Sequence, residues 1–301
     1  STTPPHYEFA TGEGVNTYSV DDFGNLTHIQ NDTTIISSFD QLPLAASIWG
    51  DGNFVYVGGA QVHYGARWTF GSLHAYSIAK SGPMLGTLAH RASVDNPKRA
   101  DGSGAPPYRI WGDGNFIYTT NIHYGINVYS VDYYGNLSWV DGDDRRLREI
   151  LQPEACERCG SNSFYAGKPR FTSEKMLGIW GDGNFIYVAN SYGLLSYSVD
   201  DYGKLTEMDE EYIGFGIGGK YVPGGGQSDV WGDGNYLYTA DGKNGVSAWK
   251  VDVNGKITFL EQLKEWGTLY GGWNPPRHLH MCGGIWGDDN FIYLSEFAVS
   301  D

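Results

Sequence analysis

Five stretches of the chain set short apolar runs around the same tight polar turn. In each, an apolar strand runs into Gly-Asp-Gly-Asn and out into an aromatic, an aliphatic and a Tyr. The copies are 48–56, 110–118, 179–187, 230–238 and 285–293, the last with Asp289 where the others have Gly. An Asp-Gly pair between apolar runs predicts a hairpin, because a tight turn needs a residue at positive φ. The outgoing strand is apolar on both alternating faces, Phe185 and Tyr187 on one and Ile186 and Val188 on the other. That pattern suits a strand covered on both sides.

A second pattern, Tyr-Ser-Val-Asp-x-x-Gly-x-Leu, follows at 129–137, 197–205 and 249–257, and in a degenerate form, one residue longer, at 76–85. Its remaining copy, 18–26, precedes every Trp-Gly-Asp turn, so the chain opens on the second half of a unit and ends on the first half. Each half reads as a hairpin, which makes four antiparallel strands per unit. One such unit cannot bury both faces alone, whereas radial stacking can. The fold expected is therefore all-β: a closed five-bladed β-propeller, one domain over 1–301. Its blades fall at about 47–90, 109–141, 178–209, 229–261, and 284–301 with 14–31. Pairing of the N-terminal strands with the C-terminal ones is expected to close the ring.

The Asp-Gly-Asn-(Phe/Tyr)-(Ile/Leu/Val)-Tyr strand and the Tyr-Ser-Val-Asp-x-x-Gly-x-Leu hairpin resemble repeats of bacterial and phage propellers of the LVIVD and lactonase-like type. The match covers about half of the chain, in five patches. It implies blade architecture. Such propellers range from enzymes to passive binders, so no catalytic residue carries over. Lactonase-like members typically have more blades than five.

Repetition also works as a filter. A residue present in every unit is explained by the fold. That covers Asp51, Asp113, Asp182, Asp233 and Asp288 in the first turn, Asp132, Asp200 and Asp252 in the second, and the five turn tryptophans. Function is expected where the units differ, in the connections 32–46, 91–108, 142–177, 210–228 and 262–284 and the loop 58–72. Rigid scaffolds usually carry binding residues on such loops. These segments are aromatic, with Tyr64 and Trp68 in one, Tyr124 and Tyr192 at matching positions, and Trp266, Tyr270 and Trp273 in a late connection. Flat aromatics among Asn, Asp and Gly suit sugar platforms, a loop mini-core or a subunit contact. Arg109 and Asp229 sit two residues before the motif Trp, where the other units have Ser47, Gly178 and Gly284. Placed at the channel mouth, they form a mutual ion pair or face a ligand. With the aromatics, they complete the expected binding set.

The three cysteines are an odd number, so at most one disulfide forms among them. Cys156-Glu-Arg-Cys159 and His278-Leu-His280-Met-Cys282 have the inventory of a zinc site. A Cys156–Cys159 disulfide and free thiols are the alternatives. A metal ion is thus the one candidate cofactor, and otherwise none is expected. For hydrolysis, Asp229 is the sole inner-strand acid outside the repeated turns, with Glu296 and Asp241 as candidate partners. No nucleophile elbow, P-loop or dinucleotide fingerprint is present. A net charge of −15 repels phosphate backbones and excludes nucleic acid as a natural partner. No apolar run reaches the roughly 18 residues that membrane insertion requires. Few lysines and many Tyr, Trp, Asn and Gly point to a surface-exposed or extracellular protein, and the start at Ser1 fits either a mature product whose leader has been removed or a trimmed chain. The function expected is a non-catalytic propeller binding a carbohydrate or protein surface. The alternatives are a self-assembling structural subunit, or a hydrolase or lyase at the channel mouth.

Overall fold

The computed structural model describes residues 15–32, 43–61, 70–97, 107–121, 125–143, 176–190, 193–212, 215–216, 220–221, 229–242, 245–263, 278–288 and 290–300. The chain divides into two compact units, Ser1–Pro107 with Val131–Ser138, and Tyr108–Ser130 with Trp139–Asp301. Among the described residues no helix is long and apolar enough to cross a membrane.

The first unit opens on the hairpin β1 (Val15–Val20) and β2 (Leu26–Asp32). A four-stranded antiparallel sheet follows, β3 (Pro43–Gly50), β4 (Phe54–Gln61), β5 (Phe70–Ile78) and β6 (Leu88–Asp95), in sequential order. Gln30 joins the two: its Oε1 accepts the Leu88 N–H at 2.6 Å, and its Nε2 donates to the Leu88 carbonyl at 3.1 Å. Val15, Val57, Tyr76 and Leu88 form the core beneath. The degenerate copy begins its last strand at Leu88, three residues beyond the position the pattern suggests. An inserted 3-10 turn, Gly82–Met84, accounts for the difference, and Ala79 closes it through Thr87 and Gly86.

Among the described residues, three further four-stranded sheets follow. They are β7 (Arg109–Gly112), β8 (Phe116–Asn121), β9 (Gly125–Val131) and β10 (Leu137–Asp143); then β11 (Met176–Gly181), β12 (Phe185–Asn190), β13 (Gly193–Val199) and β14 (Leu205–Tyr212); and, after a small hairpin β15 (Phe215–Gly216) and β16 (Lys220–Tyr221), β17 (Asp229–Gly232), β18 (Tyr236–Ala240), β19 (Val246–Val251) and β20 (Ile257–Leu263). The final hairpin is β21 (His278–Gly287) and β22 (Ile292–Ser300). The hairpin β15–β16 lies within the variable connection 210–228.

Strand β12 shows why the units stack. Ile186 and Val188 enter one core cluster with Tyr118, Ile126, Val128 and Met176. Tyr187 and Ala189 enter the next, with Val230, Leu237, Trp249 and Ile257. Both faces of the strand are thus covered, as its two-sided apolar pattern requires. Polar ties repeat at the same step: Asp141 accepts the Leu205 N–H at 2.8 Å, and Asp209 accepts the Ile257 N–H at 2.7 Å.

The repeated first turn is a carboxylate cap. Asp182 Oδ1 accepts the N–H groups of Asn184 and Phe185, each at 2.8 Å, and Oδ2 accepts the Tyr187 hydroxyl at 2.9 Å. Gly183 supplies the positive φ, 90°. Asp51, Asp113 and Asp288 make the same three bonds. Their recurrence is therefore structural.

The strands at the two ends of the chain differ from expectation. β1–β2 and β21–β22 are separate two-stranded sheets rather than one four-stranded sheet. Trp286, Phe291 and Tyr293 are 60%, 63% and 49% exposed, while Tyr187, the counterpart of Tyr293, is fully buried.

Candidate functional site

The first strands of the second unit hold the charged residues that the repeat does not explain. Arg109 begins β7, and Asp229 begins β17. Between them lies Gly178 of β11. A Cβ there would fall 2.6 Å from Asp229 Cα and 2.8 Å from its carbonyl carbon, so only glycine permits this approach of β11 to β17. With no side chain intervening, Arg109 Nε lies 4.0 Å from Asp229 Oδ1. The guanidinium also stacks 4.8 Å above the Tyr108 ring and donates to the Tyr108 carbonyl at 3.3 Å.

Asp229 Oδ1 accepts its neighbour Val230 N–H at 3.1 Å, and Oδ2 accepts the Ile285 N–H at 3.4 Å. Its side chain is 18% exposed. Burial pushes the carboxyl above the ordinary carboxylate range, against the opposing pull of Arg109 and the two N–H groups. The result is a carboxylate of raised basicity beside a fixed guanidinium. Such a pair can take a proton from water and stabilise a developing oxyanion.

Asp241 does not join it. Its Oδ2 accepts from Ser247 Oγ and, at 3.0 Å, from Gln262 Nε2, and the residue is buried inside its own sheet. Glu296 pairs in register with Cys282, and its side chain lies outside the described residues. So do Tyr64, Trp68, Tyr124, Tyr192, Trp266, Tyr270, Trp273, Cys156 and Cys159. His278, His280 and Cys282 occupy alternate positions of β21, opposite Ser300, Ala298 and Glu296, with side chains again outside the description. Among the described residues, no three His, Cys, Asp or Glu side chains gather as for a metal ion.

An open groove in the second unit is lined by Trp111, Asp113, Trp180, Asp182 and Asp233 with neighbouring glycines. All of these belong to the repeated turns, so packing explains them.

The sequence reading missed one polar cluster in the first unit, Ser72, His74 and His90. Ser72 Oγ lies 2.7 Å from His74 Nε2, and His74 Nδ1 lies 3.3 Å from His90 Nε2. The available signal was departure from the repeat inside the strands themselves, not only in the connections.

No protein-family model and no curated protein matches the chain. The resemblance to LVIVD repeats therefore gains no support at family level. Among solved structures, a protein from Lactobacillus plantarum is similar at 17% identity and a TM-score of 0.64, covering 97% of this chain and 74% of its own. The periplasmic gluconolactonase PpgL of Pseudomonas aeruginosa is similar at 15% identity and a TM-score of 0.63, covering 96% of this chain and 73% of its own. The gluconolactonase corrects the expectation of a non-catalytic carbohydrate- or protein-binding propeller, since that neighbour is a hydrolase. The aromatic loops behind that expectation lie outside the described residues, whereas the described site is a half-buried carboxyl beside a guanidinium. At such identities the likeness establishes the fold: this chain has a propeller-like, all-β repeat of antiparallel, mostly four-stranded sheets.

Proposed function

We propose that this protein is a lactonase-type hydrolase that opens a small cyclic ester at the Asp229–Arg109 pair. The supporting observation is the half-buried Asp229 carboxyl, raised in proton affinity and 4.0 Å from Arg109. It stands at a position that other units fill with Ser47, Gly178 or Gly284. The hydrolase named among the structural neighbours favours the same reaction class.

In this reaction Asp229 takes a proton from a water as its oxygen bonds to the ring carbonyl carbon. Arg109 faces the oxyanion that forms. The ring C–O bond then breaks, and the Asp229 proton passes to the departing alkoxide. The product is a hydroxy acid whose carboxylate suits the same guanidinium. Because Asp229 must be ionised to act, the acid limb of the rate profile should lie above 3.8, the ordinary aspartate value. A panel of five- and six-membered sugar lactones, followed by NMR for ring opening, tests the proposal. Opening of at least one above the buffer rate is expected. A panel with no opening above that rate overturns it.

A ring of five repeated units belongs to the same proposal and rests on the five sequence copies. Removing 1–32 should then lower the thermal midpoint. A periplasmic or extracellular location is supported by composition and by the periplasmic neighbour, and cell fractionation tests it.

A further inference from the structure

The sheet β3–β6 departs from the repeat at four positions that meet in one place. The residue that is Asn121, Asn190 and Asp241 elsewhere is here Gly59. Gly125, Gly193 and Gly245 are replaced by Ser72, and Asn127, Leu195 and Ser247 by His74. Trp139, Glu207 and Phe259 are replaced by His90. In β12 the Asn side chain holds a tight connection, with Asn190 Oδ1 accepting the Gly193 N–H at 2.6 Å. Here β4 and β5 instead pair further, through Ala60 with Gly71 and Gln61 with Phe70, so that cap is not needed.

Ser72 and His74 alternate along β5 and share a face. Ser72 Oγ is within hydrogen-bond reach of His74 Nε2, and His74 Nδ1 is in reach of His90 Nε2. The His90 ring packs edge-on against Tyr76, with centroids 5.2 Å apart. A Cβ on residue 59 would lie 3.3 Å from His74 Nε2 and 3.5 Å from Ser72 Oγ. Glycine at 59 therefore keeps a side chain off the Ser–His contact, and both residues retain some solvent exposure.

A nucleophile bonded to a base, with the base oriented through its other nitrogen, is the arrangement that activates a serine. We infer that Ser72, His74 and His90 form a nucleophilic serine site that takes the acyl group of a small carboxylic ester. Ser72 Oγ attacks the carbonyl carbon, and its proton passes to His74 Nε2. The ester C–O bond breaks, and the alkoxide leaves with that proton. Water then attacks the acyl-serine, His74 accepts its proton and returns it to Ser72, and the carboxylic acid is released. His90 is a positioning residue: its Nε2 accepts the His74 Nδ1–H and fixes the tautomer.

The groups facing His74 are His90 and Asp95 from β6 and Tyr76 from its own strand, while Asp32 of β2 acts on His90. Among the described residues, strand β4 places Val57, Gly58 and Gly59 opposite His74, Leu73 and Ser72. Burial and then His90 push His74 down to about 4, against the pull of Asp95. The base therefore stays neutral across the working pH range.

Labelling of the intact protein with a biotinylated fluorophosphonate tests this site. The Oγ–P bond forms as P–F breaks, and the serine proton leaves with fluoride. Peptide mass spectrometry should find the adduct on Ser72, with a rate holding from pH 8 down to pH 5.5. His74→Ala should slow labelling by about 100-fold or more. His90→Gln should slow it less and move the pH midpoint towards 6.5, the ordinary histidine value. Asp229→Asn should label at the wild-type rate, which separates this site from the proposed lactonase centre. Absence of an adduct on Ser72 overturns the inference, and this reading uses the unaltered chain, so an unstable variant cannot obscure it.

Discussion

The sheets β11–β14 and β3–β6 start from one hairpin and fill their interiors differently. In β11–β14 the polar groups serve the fold: Asp182 caps its turn, Asn190 ties the β12–β13 connection, and Ser196 Oγ donates to the Gly255 carbonyl at 2.6 Å. In β3–β6 the equivalent interior holds Ser72, His74 and His90 bonded to one another. The first strands show a parallel contrast, with glycine at 178 and 284 but Arg109 and Asp229 between and beside them. Repeated polar residues maintain the sheet, and departures from the repeat concentrate chemistry.

The contrast breaks most severely where a repeat-permitted glycine protects an unrepeated site. Gly178→Ala places a Cβ against Asp229 backbone on which no flexible side chain can give way. It should cost about 3 kcal/mol in urea unfolding and abolish ester opening. Asp182→Ala removes two oxygens that accept three hydrogen bonds in one turn and leaves the buried Tyr187 hydroxyl unmatched. A loss of about 2 kcal/mol is expected, with the Asp229–Arg109 geometry unchanged. Tyr187→Phe removes one of those bonds and should cost about 1 kcal/mol by the same measurement.

The smallest effect is in pH. Asp21, Asp132, Asp252 and Asp288 are held below 3.8 by turn hydrogen bonds. Their stabilisation is present above 3.8 and fades as pH falls through their lowered values. Asp229 has the opposite sign. Its raised value means the ionised form weakens the fold above that value, and protonation relieves the cost. Asp229→Asn should therefore leave the thermal midpoint at neutral pH unchanged or slightly raised, as calorimetry would show.

The hairpins were legible because Asp-Gly turns and two-sided apolar strands are local signals. Arg109 and Asp229 were legible because they interrupt an otherwise regular position. Other features depended on non-local geometry. The start of β6 at Leu88 follows from a turn that closes on Ala79, which no motif spacing marks. The two short end sheets reflect strand partners, which sequence copies alone do not determine. His74 and His90 meet across β5 and β6 where the ladder shifts register between Ala75 and Tyr76. A simple alternation count therefore could not pair residues that far apart in the chain.

The most direct test compares lactone opening by wild type, Asp229→Asn and Ser72→Ala in a pH-stat, each checked for native folding. Catalysis at Asp229 predicts acid release by wild type, a fall of about 100-fold or more in Asp229→Asn, and a near-normal rate in Ser72→Ala. Equal rates for wild type and Asp229→Asn would contradict it.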